Sequence, residues 1–379
     1  MGRNITTKSI VFAVVVGMAV LCANPMTARA DDFVWNDGGS DGDWSNAANW
    51  TPSGPGPQTY PGEINPDADT ATFPTPTAPT LTNIPANRIV SVTISDPGAT
   101  PTLGVDLSTS ILTITAGSLS VGASILTVSA DVSGAGTLDG GTGTVNVTGN
   151  LTIDNYTATT GTTSVGGDFN VATFNPLGGT VSFTGGGAQN VTLNGASFAD
   201  LDVAKTGGSL TFADVVSVTG ALTTAGNAYT VAFNANATFT NVAMATFSNT
   251  SSVALGNGAG DTLTFNGGIT HITGTTAIAG DVVTSADLVN LAAIQLGANS
   301  SITTSGGNVQ ITTVDNAFSL TVDASGGTVA FGGAVGGTSL SLFQFRQVPA
   351  RRMPSPFETS RRQDRKPIPA MSLLAPIPR

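Results

Sequence analysis

Along most of this 379-residue chain, apolar and polar residues alternate in short segments broken by glycine. Leu112-Thr113-Ile114-Thr115, T-V-N-V-T from Thr144, T-V-S-F from Thr180 and S-L-T-V from Ser319 are examples. A period of two sends the apolar side chains to one face of a strand and the polar ones to the other. Gly-Gly, Gly-Asn, Asn-Gly and Gly-Ala-Gly stand between the segments and supply the positive φ of tight turns. Helical spacing is nearly absent, and only residues 286–294 are expected to hold a turn or two of helix. The body is therefore predicted to be all-β.

One unit recurs with drift: G-T-V-S-F from Gly179, G-S-L-T-F from Gly208, D-T-L-T-F from Asp261 and G-T-V-A-F from Gly327. The intervals of 29, 53 and 66 residues fit several coils of about 18 to 28 residues between copies. A unit with one apolar face cannot bury it alone. Stacked coils bury a continuous core and pair each backbone donor with the coil above or below. A string of β-sandwiches is the rival, weakened by the lack of any tryptophan beyond Trp50 to anchor later domains. Between Pro101 and Pro349 the only proline is Pro176, which permits uninterrupted pairing, so the solenoid is expected over 101–343. Residues 31–100, rich in proline and holding Trp35, Trp44 and Trp50, are expected to form an N-terminal cap module.

The termini add an address. Arg3 and Lys8 precede an apolar run from Ile10 to Leu21, and Ala28-Arg29-Ala30 supplies a cleavage site, so 1–30 read as an export signal. The run is too short to span a bilayer, and no membrane span is expected in the mature chain. Cys22, the single cysteine, lies inside the signal, which excludes disulfides and thiolate metal sites from the product. After Gly337 the alternation stops and seven prolines appear, so 344–379 are expected to form a disordered basic tail. Charge divides accordingly. Residues 31–343 hold 22 acidic side chains and two basic ones, Arg88 and Lys205, whereas 346–379 hold eight basic and two acidic. An acidic body of this kind argues against nucleic acid as a partner.

Trp35 to Phe73, W-N-D-G-G-S-D-G-D-W-S-N-A-A-N-W-T-P followed by P-G-E-I-N-P-D-A-D-T-A-T-F, resembles the opening of autotransporter-like repeat proteins of environmental bacteria. The stretches G-G-T-V-S-F-T-G-G-G-A-Q-N-V, F-A-D-L-D-V-A-K-T-G-G-S-L-T-F and V-D-N-A-F-S-L-T-V-D-A-S-G-G-T-V-A-F resemble repeats of large secreted adhesins. The resemblance implies a right-handed parallel β-helix like that of filamentous haemagglutinin. It also implies a secreted or cell-surface role in display, adhesion or matrix structure, with surface polysaccharide or other surface proteins as partners. Neither an outer-membrane barrel nor a sorting motif is recognisable.

Candidate sites are few. Trp35, Trp44 and Trp50 are candidate glycan contacts, as in a carbohydrate-binding module, or else pack together to shield the first coil from water, which is the preferred reading. Asp37, Asp41 and Asp43 are candidate calcium ligands in a loop that reads first as a plain acidic turn. L-G-N-G-A-G-D-T-L from Leu255 is a single, imperfect copy of a calcium-binding nonapeptide. A β-helix polysaccharide lyase or hydrolase is the enzymatic alternative. Arg88 and Lys205 are far apart in sequence, and Asp200 with Asp202 shares a strand face without a third partner. His271 reads as an ordinary strand or turn position. Thr-x-Thr pairs at 113/115 and 262/264 raise ice binding, but their irregular spacing argues against a regular ladder. No catalytic residue, cofactor or metal is assigned.

Overall fold

The computed structural model describes residues 31–54, 57–64, 69–86, 89–195, 197–240, 243–336 and 342–346. The expected export signal, Arg88 and the tail beyond 346 lie outside the described residues. The chain forms an all-β parallel solenoid of about 13 turns. In one coil, Thr144–Val147 lies on a first face, 151–153 of the strand Leu151–Thr157 on a second, and 155–157 of that strand on a third. Thr162–Val165 then returns to the first face and pairs in parallel with Thr144–Val147.

Registration shows how alternation becomes a core. On the second face an inward file runs Phe33, Ala71, Val92, Leu112, Val132, Leu151, Phe169, Val191, Phe212, Phe233, Leu255, Ile278 and Leu296. Every member is buried. Coil length varies, since Leu151 opposes Phe169 eighteen residues on while Leu255 opposes Ile278 twenty-three on. The corners absorb the difference, so the faces stay in register. Aromatic members of neighbouring coils stack, Phe212 on Phe233 at 4.9 Å and Phe239 on Phe265 at 4.8 Å between centroids. Those distances equal the step between paired strands.

The recurring T-V-S-F-like unit is a strand, not a coil. Thr180–Phe183 lies on the first face, Ser209–Phe212 on the second, Thr262–Phe265 on the third and Val329–Phe331 on the first again. The uneven intervals follow from this change of face. Residues 286–294 form no helix. Val289–Leu296 is a strand with Val289, Leu291, Ile294 and Leu296 inward, and its two alanines lie opposite a bulge between His271 and Thr275 of the preceding coil.

The coil stack begins well before Pro101. Strand β1 (Asp32–Trp35) pairs antiparallel with β2 (Trp50–Pro52) on one edge and parallel with β3 (Thr70–Phe73) on the other. The strand Ile89–Ile94 then pairs in parallel with β3. The proline-rich stretch therefore contains true coils, because its described prolines fall between strands or at a strand's last position. The cap proper is the excursion between β1 and β3, where β2 covers the ladder edge that β1 would otherwise expose. At the other end Leu342–Arg346 pairs in parallel with Ser319–Asp323, so pairing takes in the first three residues, 344–346, of the expected tail.

Candidate functional surface

The three tryptophans are interior. Trp35 and Trp44 have no exposed surface and Trp50 has 4%. Trp50 packs edge-on against Trp35 and Trp44 at 4.9 and 4.7 Å, and Trp35 stacks on Phe73 at 5.4 Å. The Trp44 indole donates to Pro61 O at 2.9 Å and that of Trp50 to Trp44 O at 2.7 Å. None of the three presents a ring to a sugar, so glycan stacking on Trp35, Trp44 or Trp50 does not fit this geometry. The indoles fill the end of the core under β2, where a solenoid must shield its last coil.

Asp37, Asp41 and Asp43 lie in one loop, but their oxygens turn to neighbouring donors rather than to a common centre. Asp41 accepts from the side-chain amides of Asn49 and Asn46, each at 2.7 Å, and from Asp43 N. Asp43 accepts from Ser45 N and Oγ and from the Asn83 amide. Hydrogen bonds from Asn49 above all hold the Asp41 carboxyl below the usual range, and Ser45 does the same for Asp43. Asp37 adopts a left-handed φ of 55° and accepts from Thr77 at 3.4 Å. Asp37 and Asp41 border a shallow groove of about 320 Å³ walled by Ser40, Gly42 and residues 78–80. Among the described residues no three His, Cys, Asp or Glu side chains converge as metal ligands. In the nonapeptide-like turn, Asp261 closes its own loop by accepting from Asn257 N and Gly258 N.

Asp200 and Asp202 share the outer first face, as their spacing requires. Asp202 is clamped between coils, taking Ser182 Oγ on one oxygen and Thr223 Oγ1 on the other, both at 2.6 Å. Asp200 accepts from Ala221 N in the next coil at 2.6 Å. Such coil-to-coil bonds recur along the rim of the second face: Asp131 Oδ1 accepts from Asn150 N, Asn150 Oδ1 from Asp168 N, and Asp168 Oδ1 from Asn190 N, at 2.7 to 2.8 Å.

Beside that rim the outer residues Thr72, Thr93, Thr113, Ser133 and Thr152 stand in register in successive coils. Irregular sequence spacing thus does not prevent a hydroxyl ladder, because the corners take up the difference. The adjoining file is mixed, with exposed Ile111 and Asp131. The outer surface carries extended ranks of Ser, Thr, Asn and Asp, interrupted by exposed apolar residues such as Ile111, Ile125 and Ile272.

One feature was not visible in the sequence: a buried polar seam where the first and second faces meet. Gln189, Lys205, Tyr229, Asn249 and His271 are each at most 1% exposed. Lys205 Nζ donates to Gln189 Oε1 at 2.5 Å and Gly185 O at 3.1 Å, and Gln189 Nε2 donates to Val165 O and Gly167 O. Tyr229 donates to Val203 O, Asn249 to Tyr229 O, and His271 contacts Thr276 Oγ1 and Asn249 O. Burial pushes the Lys205 amine down to about 8 and lowers the His271 imidazole, while it raises the Tyr229 phenol to about 12. The seam satisfies corner carbonyls that point into the core. Neither residue type nor spacing repeats along it, so no periodicity announces it.

Compared with models of known protein families, with curated proteins and with solved structures, the chain matches none.

Proposed function

We infer that this chain is an exported, non-catalytic surface or matrix protein whose polar outer faces make distributed contacts with surface polysaccharide or other surface proteins. The observation that carries this reading is the coil-to-coil bonding of the outer side chains. Asp131, Asn150, Asp168, Asp200 and Asp202 are each engaged by a neighbouring coil. Side chains held in this way build a broad, rigid surface, and they are poorly disposed to act as general acid or base. The acidity of the body favours neutral over anionic polymers.

Co-sedimentation with insoluble cellulose and chitin, alongside assays for released sugar, tests the reading. We expect binding that weakens gradually as Ser and Thr of one face are replaced by lysine, without sugar release. Polysaccharide turnover that disappears in Asp200→Asn or Asp202→Asn would overturn the non-catalytic assignment in favour of a β-helix hydrolase.

A further inference from the structure

His271 is the protein's one histidine, and its ring ties a corner together. The strand Ile269–Ile278 passes from the first face to the second through a bulge between His271 and Thr275. There Ile272 is 62% exposed, whereas His271 and Thr276 have no exposed surface. Nδ1 lies 2.9 Å from Thr276 Oγ1 on the far side of the bulge, and Nε2 lies 3.2 Å from Asn249 O in the preceding coil. The imidazole thus staples the two arms of its own strand to each other and to the coil before.

These partners fix its charge state. Asn249 O can only accept, so Nε2 carries a proton, and Nδ1 accepts from the Thr276 hydroxyl in a neutral ring. A second proton on Nδ1 would turn that bond around and strand the Thr276 hydroxyl proton, which has no other bonded partner among the described residues. The corner already holds one buried acceptor without a donor, Asn249 Oδ1. Nor is a countercharge at hand. The flanking strands Ala245–Thr246, Ser252–Leu255 and Val289–Leu296 contain no ionisable residue, and Phe247 packs on the ring. The next titratable members of the seam are the Tyr229 phenol, raised by burial, and beyond it the Lys205 amine. The carboxylates nearest in the chain, Asp261, Asp281 and Asp287, are engaged by Asn257 N, Ser301 Oγ and Ser285 Oγ.

We propose that this corner is an acid-triggered latch: His271 takes a second proton only when its ring is released, so the coils it joins open in mild acid while the others stay closed. Confinement follows from the architecture, because each coil is held chiefly by its neighbours and can open without the rest. Burial outweighs the bond to Asn249 O and holds the folded imidazole below its ordinary value of 6.5. The open state therefore binds more protons, and it gains population as pH falls through 6.5.

Hydrogen exchange on the full chain between pH 7.5 and 5, with rates corrected for their intrinsic pH dependence, tests this. We expect protection over 245–278 to fall by up to about tenfold per pH unit below 6.5 and to return at pH 7.5. Protection over 132–165 should stay constant. His271→Gln, which keeps an uncharged hydrogen-bonding group, should remove the response. If that variant fails to fold, the imidazole nitrogen resonances of the unaltered chain decide, and they should keep the neutral Nε2–H pattern below pH 6 in the closed protein. Protection that ignores pH, that falls equally in every coil, or that falls as steeply in His271→Gln overturns the proposal. So does a ring that titrates at its ordinary value with protection intact.

Discussion

Lys205 is the most exacting residue in the molecule, since its ammonium has no exposed surface and two neutral oxygens, Gly185 O and Gln189 Oε1, as its acceptors. Burial lowers its folded value from 10.5 to about 8, so between pH 8 and 10 the unfolded chain binds more protons than the folded one. Stability must therefore rise with pH in that window, with a slope of at most about 1.4 kcal/mol per unit. Above pH 10 the raised phenols of Tyr156 and Tyr229 reverse the trend, because the unfolded tyrosines ionise first. Urea unfolding from pH 7 to 10 should show the rise, and Lys205→Met should flatten it. In the cap, Trp44→Ala removes a fully buried indole and its bond to Pro61 O, at an expected cost of about 3 to 5 kcal/mol. The midpoint of the tryptophan-fluorescence transition reads that loss, and acrylamide should quench the native protein poorly. Residue types foreshadowed the cap, because three indoles near a proline-rich end have few other ways to be buried. They did not foreshadow the position of Lys205, which reads as a solvated cation until the corner that encloses it is known.

At the level of strands, period-two alternation marked the segments at 112–115, 144–148, 180–183 and 319–322, and each holds a strand. Residues 286–294, where a turn or two of helix is expected, run instead into a strand whose alternation breaks at the two alanines between the inward Leu291 and Ile294. Face assignment was not legible, because identical T-V-S-F-like strands serve all three positions of a coil and only pairing distinguishes them. The rim ladder shows what pairing adds. Asp131, Asn150, Asp168 and Asn190 alternate charged with neutral side chains at steps of about 4.8 Å, so no two carboxylates are neighbours in the file. Asn150→Asp would place three in succession. We expect it to destabilise by roughly 0.5 to 2 kcal/mol, as two like-charge contacts, with partial recovery in high salt. Asn150→Ala should instead lose about 0.5 to 1.5 kcal/mol with little salt dependence, since it only leaves Asp168 N without its acceptor. Unfolding at low and high ionic strength separates the two effects.

As a whole the protein is a stack of about 13 coils, some 60 Å long, closed at one end by β2 and the indoles. Each coil contacts chiefly its neighbours, so a coil can be removed in register. Leu151 and Phe169 occupy equivalent positions eighteen residues apart, and deleting 151–168 joins Asn150 to Phe169 without shifting any later strand to another face. The proposed function is spread over the outer faces rather than held at one place. Cellulose and chitin co-sedimentation of this deletion, measured beside the full chain, tests it most directly. We expect a folded, shorter rod whose binding is weaker but present. Binding that is abolished, or that is wholly unchanged, would contradict it, because either result places the contact at a single discrete site.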